Sequence, residues 1–262
     1  MTMSKLRVAS LAALAACSLV VSSPAAAGAV SRTGFALPAT GSVKIVVFRP
    51  DVQVGSLRVG GLDEPNADWT AAARKNIQDA MQARAGTLDT KLEFIDDLEG
   101  DHAELLSQYR GLFEAVAGAM MQHVTLGDKL PTKLVQVPQP GGGRPKSVTA
   151  LDWTMGEGTR ALKDATGADY AMFVFTHDAY GDAGRKVAQL LMAGLFGAYM
   201  PAGIHVGYSA LVDLQTGNIV WFNTDLAMGG DPREVDGAQK RVGQLMAGFP
   251  TRGAPPPAVT PH

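Results

Sequence analysis

Residues 170–175, Tyr-Ala-Met-Phe-Val-Phe, form an apolar run without polar alternation. Successive strand side chains point to opposite faces, so such a run requires cover on both sides. This requirement points to a layered α/β fold, with helices packed on a sheet.

The rest of the chain supplies those layers. Ser42–Arg49 is a short β-branched apolar run ended by Pro50, which predicts a strand. A loop rich in Gly, Asp and Pro follows, with a short hairpin around Val52–Val59. Asn66 or Asp68 then caps a helix to about Arg84, whose Trp69, Ala73, Ile77, Ala80 and Met81 recur at helical spacing. Gly86 stops it, and Lys91–Asp96 alternates as a half-buried strand. Asp101 and Glu104 have the spacing of a capping box for the longest helix, which carries Leu105, Leu106, Tyr109, Leu112, Phe113, Val116, Met120 and Val124.

After a Pro/Gly-rich connector at 131–147, Met155–Ala165 reads as a helix closed by Gly167. Beyond the apolar strand, Gly203–Leu214 and Asn218–Leu226 are strand-like and joined by Gln215-Thr216-Gly217. Asp231-Pro232 has the form of a helix start, and Val235, Val242, Leu245, Met246 and Phe249 give the last helix its buried face. The expected fold is therefore a mixed α/β sheet of about five strands with helices packed on it, ending in a β-hairpin and a helix.

The N-terminus reads as an export leader. Lys5 and Arg7 precede the apolar run Val8–Val21, and Ser22–Ala27 ends in the small-x-small pattern of a cleavage site. The segment Leu14-Ala15-Ala16-Cys17 offers a second reading, a lipobox that would make a lipidated Cys17 the new N-terminus. Both readings place the protein in the bacterial envelope: in the periplasm, or anchored to the outer membrane through Cys17. The organisation expected is a signal peptide at 1–27, a linker at 28–41, a single domain at 42–249 and a disordered tail at 250–262. A net charge of −2 and an aromatic content of 6% argue against nucleic acid as a partner. One cysteine excludes a disulfide framework and a cysteine-built zinc site.

Three segments carry a family resemblance: Val43–Phe48, Ala168–Val174, and above all Leu211-Val212-Asp213-Leu214-Gln215-Thr216-Gly217-Asn218-Ile219-Val220-Trp221. They resemble a bacterial envelope superfamily that includes CsgG-like curli-secretion lipoproteins, LpoB-like activators of cell-wall synthases and the TolB N-terminal domain. The resemblance implies an antiparallel hairpin whose Thr-Gly turn leads into a strand bearing Trp221. It also implies a non-enzymatic protein that works through protein contacts in outer-membrane, secretion or cell-wall assembly. This chain departs from the family at Phe175-Thr176-His177-Asp178, where members usually carry a glycine.

The insertion at 183–202 is the most unusual stretch. Val187–Met200 holds one polar amide, Gln189, and no charge. As a helix it would be about 21 Å long, too short for a bilayer core of about 30 Å. Its lack of polar alternation argues against a pore-forming strand pair. Leu190, Leu191, Ala193, Gly194, Leu195, Gly197 and Ala198 bring leucines and small residues together at close-packing intervals. Two readings stand: a core helix, or a contact patch for self-association, an envelope protein or a membrane surface.

Catalytic patterns are sparse. Gly207-Tyr208-Ser209-Ala210-Leu211 lacks the final glycine of a nucleophile elbow and lies within a strand. Pro145 spoils the likeness of Gly141–Ser147 to a phosphate loop. The acidic stretch Asp96, Asp97, Glu99 and Asp101 has no EF-hand spacing, and His102 and His123 have no partner at ligand spacing. His177, Asp178, Asp182 and His205 would meet at a sheet edge if their strands pair, making a small-ligand site or hydrolase centre the rival to a contact function. No catalytic residue, cofactor or metal is expected.

Overall fold

A computed structural model describes residues 30–31, 35–87, 91–126, 128–137, 143–196 and 203–253. The leader with Cys17, positions Gly197 and Ala198, and the tail from 254 lie outside the described residues. In chain order the elements begin with β1 (Val30–Ser31), β2 (Ile45–Phe48), β3 (Asp51–Leu57), β4 (Asp63–Pro65), α1 (Ala67–Thr87), β5 (Leu92–Ile95) and α2 (Asp101–Thr125). There follow β6 (Thr132–Val137), β7 (Lys146–Leu151), a 3-10 turn at Glu157–Thr159, α3 (Arg160–Thr166) and β8 (Tyr170–Gly181). The last are α4 (Ala183–Phe196), β9 (Gly203–Asp213), β10 (Ile219–Asp225) and α5 (Val235–Leu245).

The apolar run is the first half of β8, and its two faces feed two cores. Met172 and Val174 join Ile77, Met81, Val242 and Leu245 beneath α1 and α5. Ala171 and Phe173 join Leu106, Phe113, Met120 and Leu162 beneath α2 and α3. The double cover inferred from periodicity is present. The sheet order is β1-β10-β9-β8-β2-β5, with β3 on β8 beyond the end of β2, and β4 on β3. Strands β10, β9 and β8 are antiparallel neighbours, while β2 is parallel to both β8 and β5. Five strands, β10, β9, β8, β2 and β5, thus form the mixed sheet expected, and β1, β3 and β4 extend it.

The β9–β10 hairpin obeys its turn chemistry. Asp213 Oδ1 accepts from the backbone N–H groups of Gln215 at 2.8 Å and Thr216 at 3.2 Å. Gly217 sits at φ 73°, and a Cβ there would lie 2.1 Å from the Gly156 carbonyl oxygen. Glycine is needed for both the left-handed backbone and the close approach. Trp221 is fully buried and meets Phe249 edge-on, with ring centres 5.3 Å apart.

Of the local helix-start signals one holds and two do not. Asn66 caps α1, its Oδ1 accepting from Trp69 N–H at 3.0 Å. The capping box at Asp101 and Glu104 does not form, because α2 starts at Asp101 itself after Gly100 at φ 57° and no side chain caps it. Asp231-Pro232 does not open α5, which begins at Val235. Asp231 instead folds the preceding turn by accepting from Arg233, backbone N–H at 3.0 Å and guanidinium at 2.6 Å. Around the glycine run, Thr132–Val137 and Lys146–Leu151 pair as a separate antiparallel ladder.

Candidate functional site

Alternation along β8 sends the neighbours His177 and Asp178 to opposite faces. His177 Nε2 lies 2.7 Å from Asp63 Oδ2 on β4. Asp178 turns under α5, where its Oδ1 meets His205 Nδ1 at 2.7 Å and Arg241 Nη2 at 2.5 Å. Thr176 Oγ1 donates to the other Asp178 oxygen at 3.3 Å. Asp182 belongs to neither pair, and its Oδ1 accepts from Arg185 N–H at 2.7 Å to open α4. The four-residue cluster expected from sequence therefore does not assemble. Only Asp178 and His205 meet.

That pair lies in a structural polar network. Asp178 and Arg241 are both 0% exposed, so neither faces solvent or a substrate. Arg241 also donates to the Gly230 carbonyl oxygen at 2.8 Å, tying α5 to the loop before it. The neighbouring Arg233 lies between Trp69 and Tyr180, its guanidinium carbon 4.4 Å and 4.2 Å from their ring centres. Hydrogen bonding from Arg233 holds the Asp231 carboxyl below its ordinary range. Burial, with Asp178 and Asp231 nearby, pushes the Tyr180 phenol above its ordinary range. Sequence reasoning missed Arg241. The signal was a charge on the apolar stripe of α5, three residues after Ala238 and four before Leu245, both fully buried.

The remaining candidates have structural partners or lack a site. Ser209 Oγ donates to the Leu245 carbonyl oxygen and fastens the end of α5. Asp97 is paired with Arg49 and Arg110, both at 3.1 Å. His123 packs against Trp153 with ring centres 5.8 Å apart, and His102 is exposed. Among the described residues no group of three His, Cys, Asp or Glu side chains could hold a metal ion. A cavity of about 420 Å³ between β3 and the start of α1 is lined by Asp51, Gln53, Asp63, Thr70, Arg74 and His177, among others.

Helix α4 is inverted relative to the usual surface helix. Its inward side carries Arg185, which is 8% exposed and donates to the Arg58 carbonyl oxygen at 3.1 Å, with Ala188, Gln189 and Met192 half-buried. Its outward side carries Val187, Leu190, Leu191 and Leu195, exposed to 57%, 74%, 54% and 71%. Ala193 and Gly194 are exposed as well. Val59 and Leu62, at the tip of the β3–β4 turn, are exposed large apolar residues too. That tip reaches α4, since a Cβ on Gly184 would lie 3.1 Å from Val59 Cγ2. Over the described part of the segment, this face of α4 is left uncovered by the rest of the chain. Contiguous exposed apolar surface of this kind is characteristic of a contact site. Among the described residues, no helix is long and apolar enough to cross a membrane.

No protein family profile matches the chain, and no curated protein matches it. Among solved structures it is similar to the PelC dodecamer from Paraburkholderia phytofirmans, at 9% identity and TM-score 0.33, over 86% of this chain and 96% of that one. A point variant of the same dodecamer aligns at 10% identity and TM-score 0.33, over 84% and 96%. Lipoprotein GNA1162 from Neisseria meningitidis aligns at 13% identity and TM-score 0.26, over 70% and 80%. Likeness at this level leaves activity and partners unassigned.

Proposed function

We propose that this chain is an exported bacterial envelope protein that acts by contact rather than catalysis, with the outward face of α4 as its contact surface. The inversion of α4 carries the reading. Four large apolar side chains face solvent while an arginine is buried beneath them. A helix serving only this fold would reverse that arrangement. The basic, apolar and small-residue pattern of residues 1–27 supports export to the periplasm, with Cys17 as a candidate outer-membrane anchor. His177, Asp178, Asp182 and His205 do not converge on a shared centre: His177 pairs with Asp63, Asp178 with His205, and Asp182 with the start of α4.

The test is the double substitution Leu191→Glu and Leu195→Glu in the exported chain. The expected result is unchanged far-ultraviolet circular dichroism with loss of the contact, read as a change in native size or in membrane partition. Global unfolding, or no change in either property, overturns the proposal. Intact mass of protein from soluble and membrane fractions tests the leader and Cys17 directly.

One observation favours a second reading. The Asp63–His177 pair lines the 420 Å³ cavity together with Arg74, a small-ligand site distinct from the buried Asp178 network. A thermal-shift screen of small polar metabolites would support it by a hit that His177→Ala abolishes, and refute it by a blank.

A further inference from the structure

We infer that the outward face of α4 docks on an anionic lipid surface. This rests on the contact reading above and names its partner. Geometry is the first argument. The 14 residues of α4 span about 21 Å, insufficient to cross a bilayer core but suited to lying in the headgroup boundary with one face down. The turn tip carrying Val59 and Leu62 meets the first turn of α4, so two elements present apolar side chains at one end of the molecule.

Charge is the second argument. No Asp or Glu lies between Ala183 and Val212, and the carboxylate of Asp182 just before them is engaged by the Arg185 N–H at the start of α4. Lys186 is exposed on the first turn of α4, beside the apolar face. Arg58, with its side chain 58% exposed, stands at the neighbouring turn and pairs with Glu64. With the leucines in the acyl boundary, Lys186 lies where phosphate headgroups are found, while the charge of Arg58 is offset by Glu64.

Area argues against a second copy as the occupant. One face of a helix about 21 Å long and about 10 Å across has a footprint on the order of 200 Å². Even doubled for surface relief, the face of α4 taken alone falls short of the roughly 800 Å² per partner of a stable protein interface. A lipid surface sets no such threshold, because each side chain contributes independently to partitioning.

The test uses the exported chain with Leu195→Cys labelled by an environment-sensitive fluorophore. Cys17 is the only native cysteine, and intact mass of the preparation, showing it removed or lipidated, makes the label unique. Vesicles of phosphatidylethanolamine with phosphatidylglycerol should blue-shift and brighten the label, and vesicles of phosphatidylcholine should do so less. A label on Lys75→Cys, in the exposed middle of α1, should not respond. Lys186→Glu should weaken binding to the anionic vesicles about fivefold or more, at about 1 kcal/mol per basic residue near such a surface. Silence of the label on both vesicles, with native size still altered by Leu191→Glu and Leu195→Glu, overturns the lipid partner and leaves the contact reading standing. Silence with native size also unaltered overturns both.

Discussion

Replacing Asp178 with asparagine tests how the sheet holds α5. The substitution keeps the shape of the side chain but removes the carboxylate that faces Arg241 and His205. Arg241 is 0% exposed, and its Nε and Nη1 atoms are buried without a hydrogen-bond partner among the described residues. Its charge is therefore balanced by Asp178 and by the Gly230 carbonyl dipole. Breaking a buried ion pair from one side typically costs about 3–5 kcal/mol, because the remaining charge stays desolvated. For a domain of this size each kcal/mol lowers Tm by about 2–4 °C, so thermal unfolding should move down by about 6–20 °C. The double variant Asp178→Leu with Arg241→Met removes both charges and should recover most of that loss. Thermal and urea unfolding of Asp178→Leu, Arg241→Met and their double give the coupling through a mutant cycle. A loss below about 1 kcal/mol for Asp178→Asn, or a double variant as unstable as the worse single, would refute the reasoning.

Other parts of the fold give sharp expectations. Gly217→Ala forces a side chain into the left-handed backbone and 2.1 Å from the Gly156 carbonyl oxygen. It should destabilise by at least about 2 kcal/mol in urea unfolding. Gly118→Ala, in the exposed interior of α2 with nothing within 4 Å of the added Cβ, should stabilise by about 0.5–1 kcal/mol. Arg233 hydrogen bonds hold Asp231 below its ordinary value, so their stabilisation is full above about pH 4 and fades as pH falls through the lower folded value. Arg233→Ala should lower stability at neutral pH and flatten its decline below about pH 4, measured by chemical unfolding across pH. Burial, then Glu114 and Asp51, raises the Tyr208 phenol above its ordinary value, so its stabilisation is present below about pH 10 and fades above it. Phenolate absorbance should show Tyr208 ionising together with alkaline unfolding, and Tyr208→Phe should shrink that step.

The sheet was legible because its signals are local and redundant. Tyr170–Phe175 required two covering layers, and helical spacing in 67–81 and 105–124 identified segments that supply them. The hairpin at Gly217 was legible for the same reason: Asp213, Thr216 and the glycine settle it among near neighbours. The site was less legible. His177 and Asp178 are adjacent in sequence, but the pleat parts them, and their partners Asp63, His205 and Arg241 come from three other elements. Sequence could bring His205 near Asp178 by strand pairing but gave no register. The inverted α4 was readable only as an ambiguity, because a uniformly apolar helix does not state which side meets the sheet.

The pairing of β8 with β9 runs from Tyr170–Asp213 to Tyr180–Gly203, the last rung before the chain leaves for α4. Departure and return therefore occur at one rung, where antiparallel Cα atoms lie about 5 Å apart. By geometry alone, a short turn could close the same rung without shifting the register of the ladder. Selection can then lengthen, shorten or recharge the intervening segment while the two cores stay intact. A lineage that keeps this scaffold can change what its protein touches by editing fewer than two dozen consecutive codons.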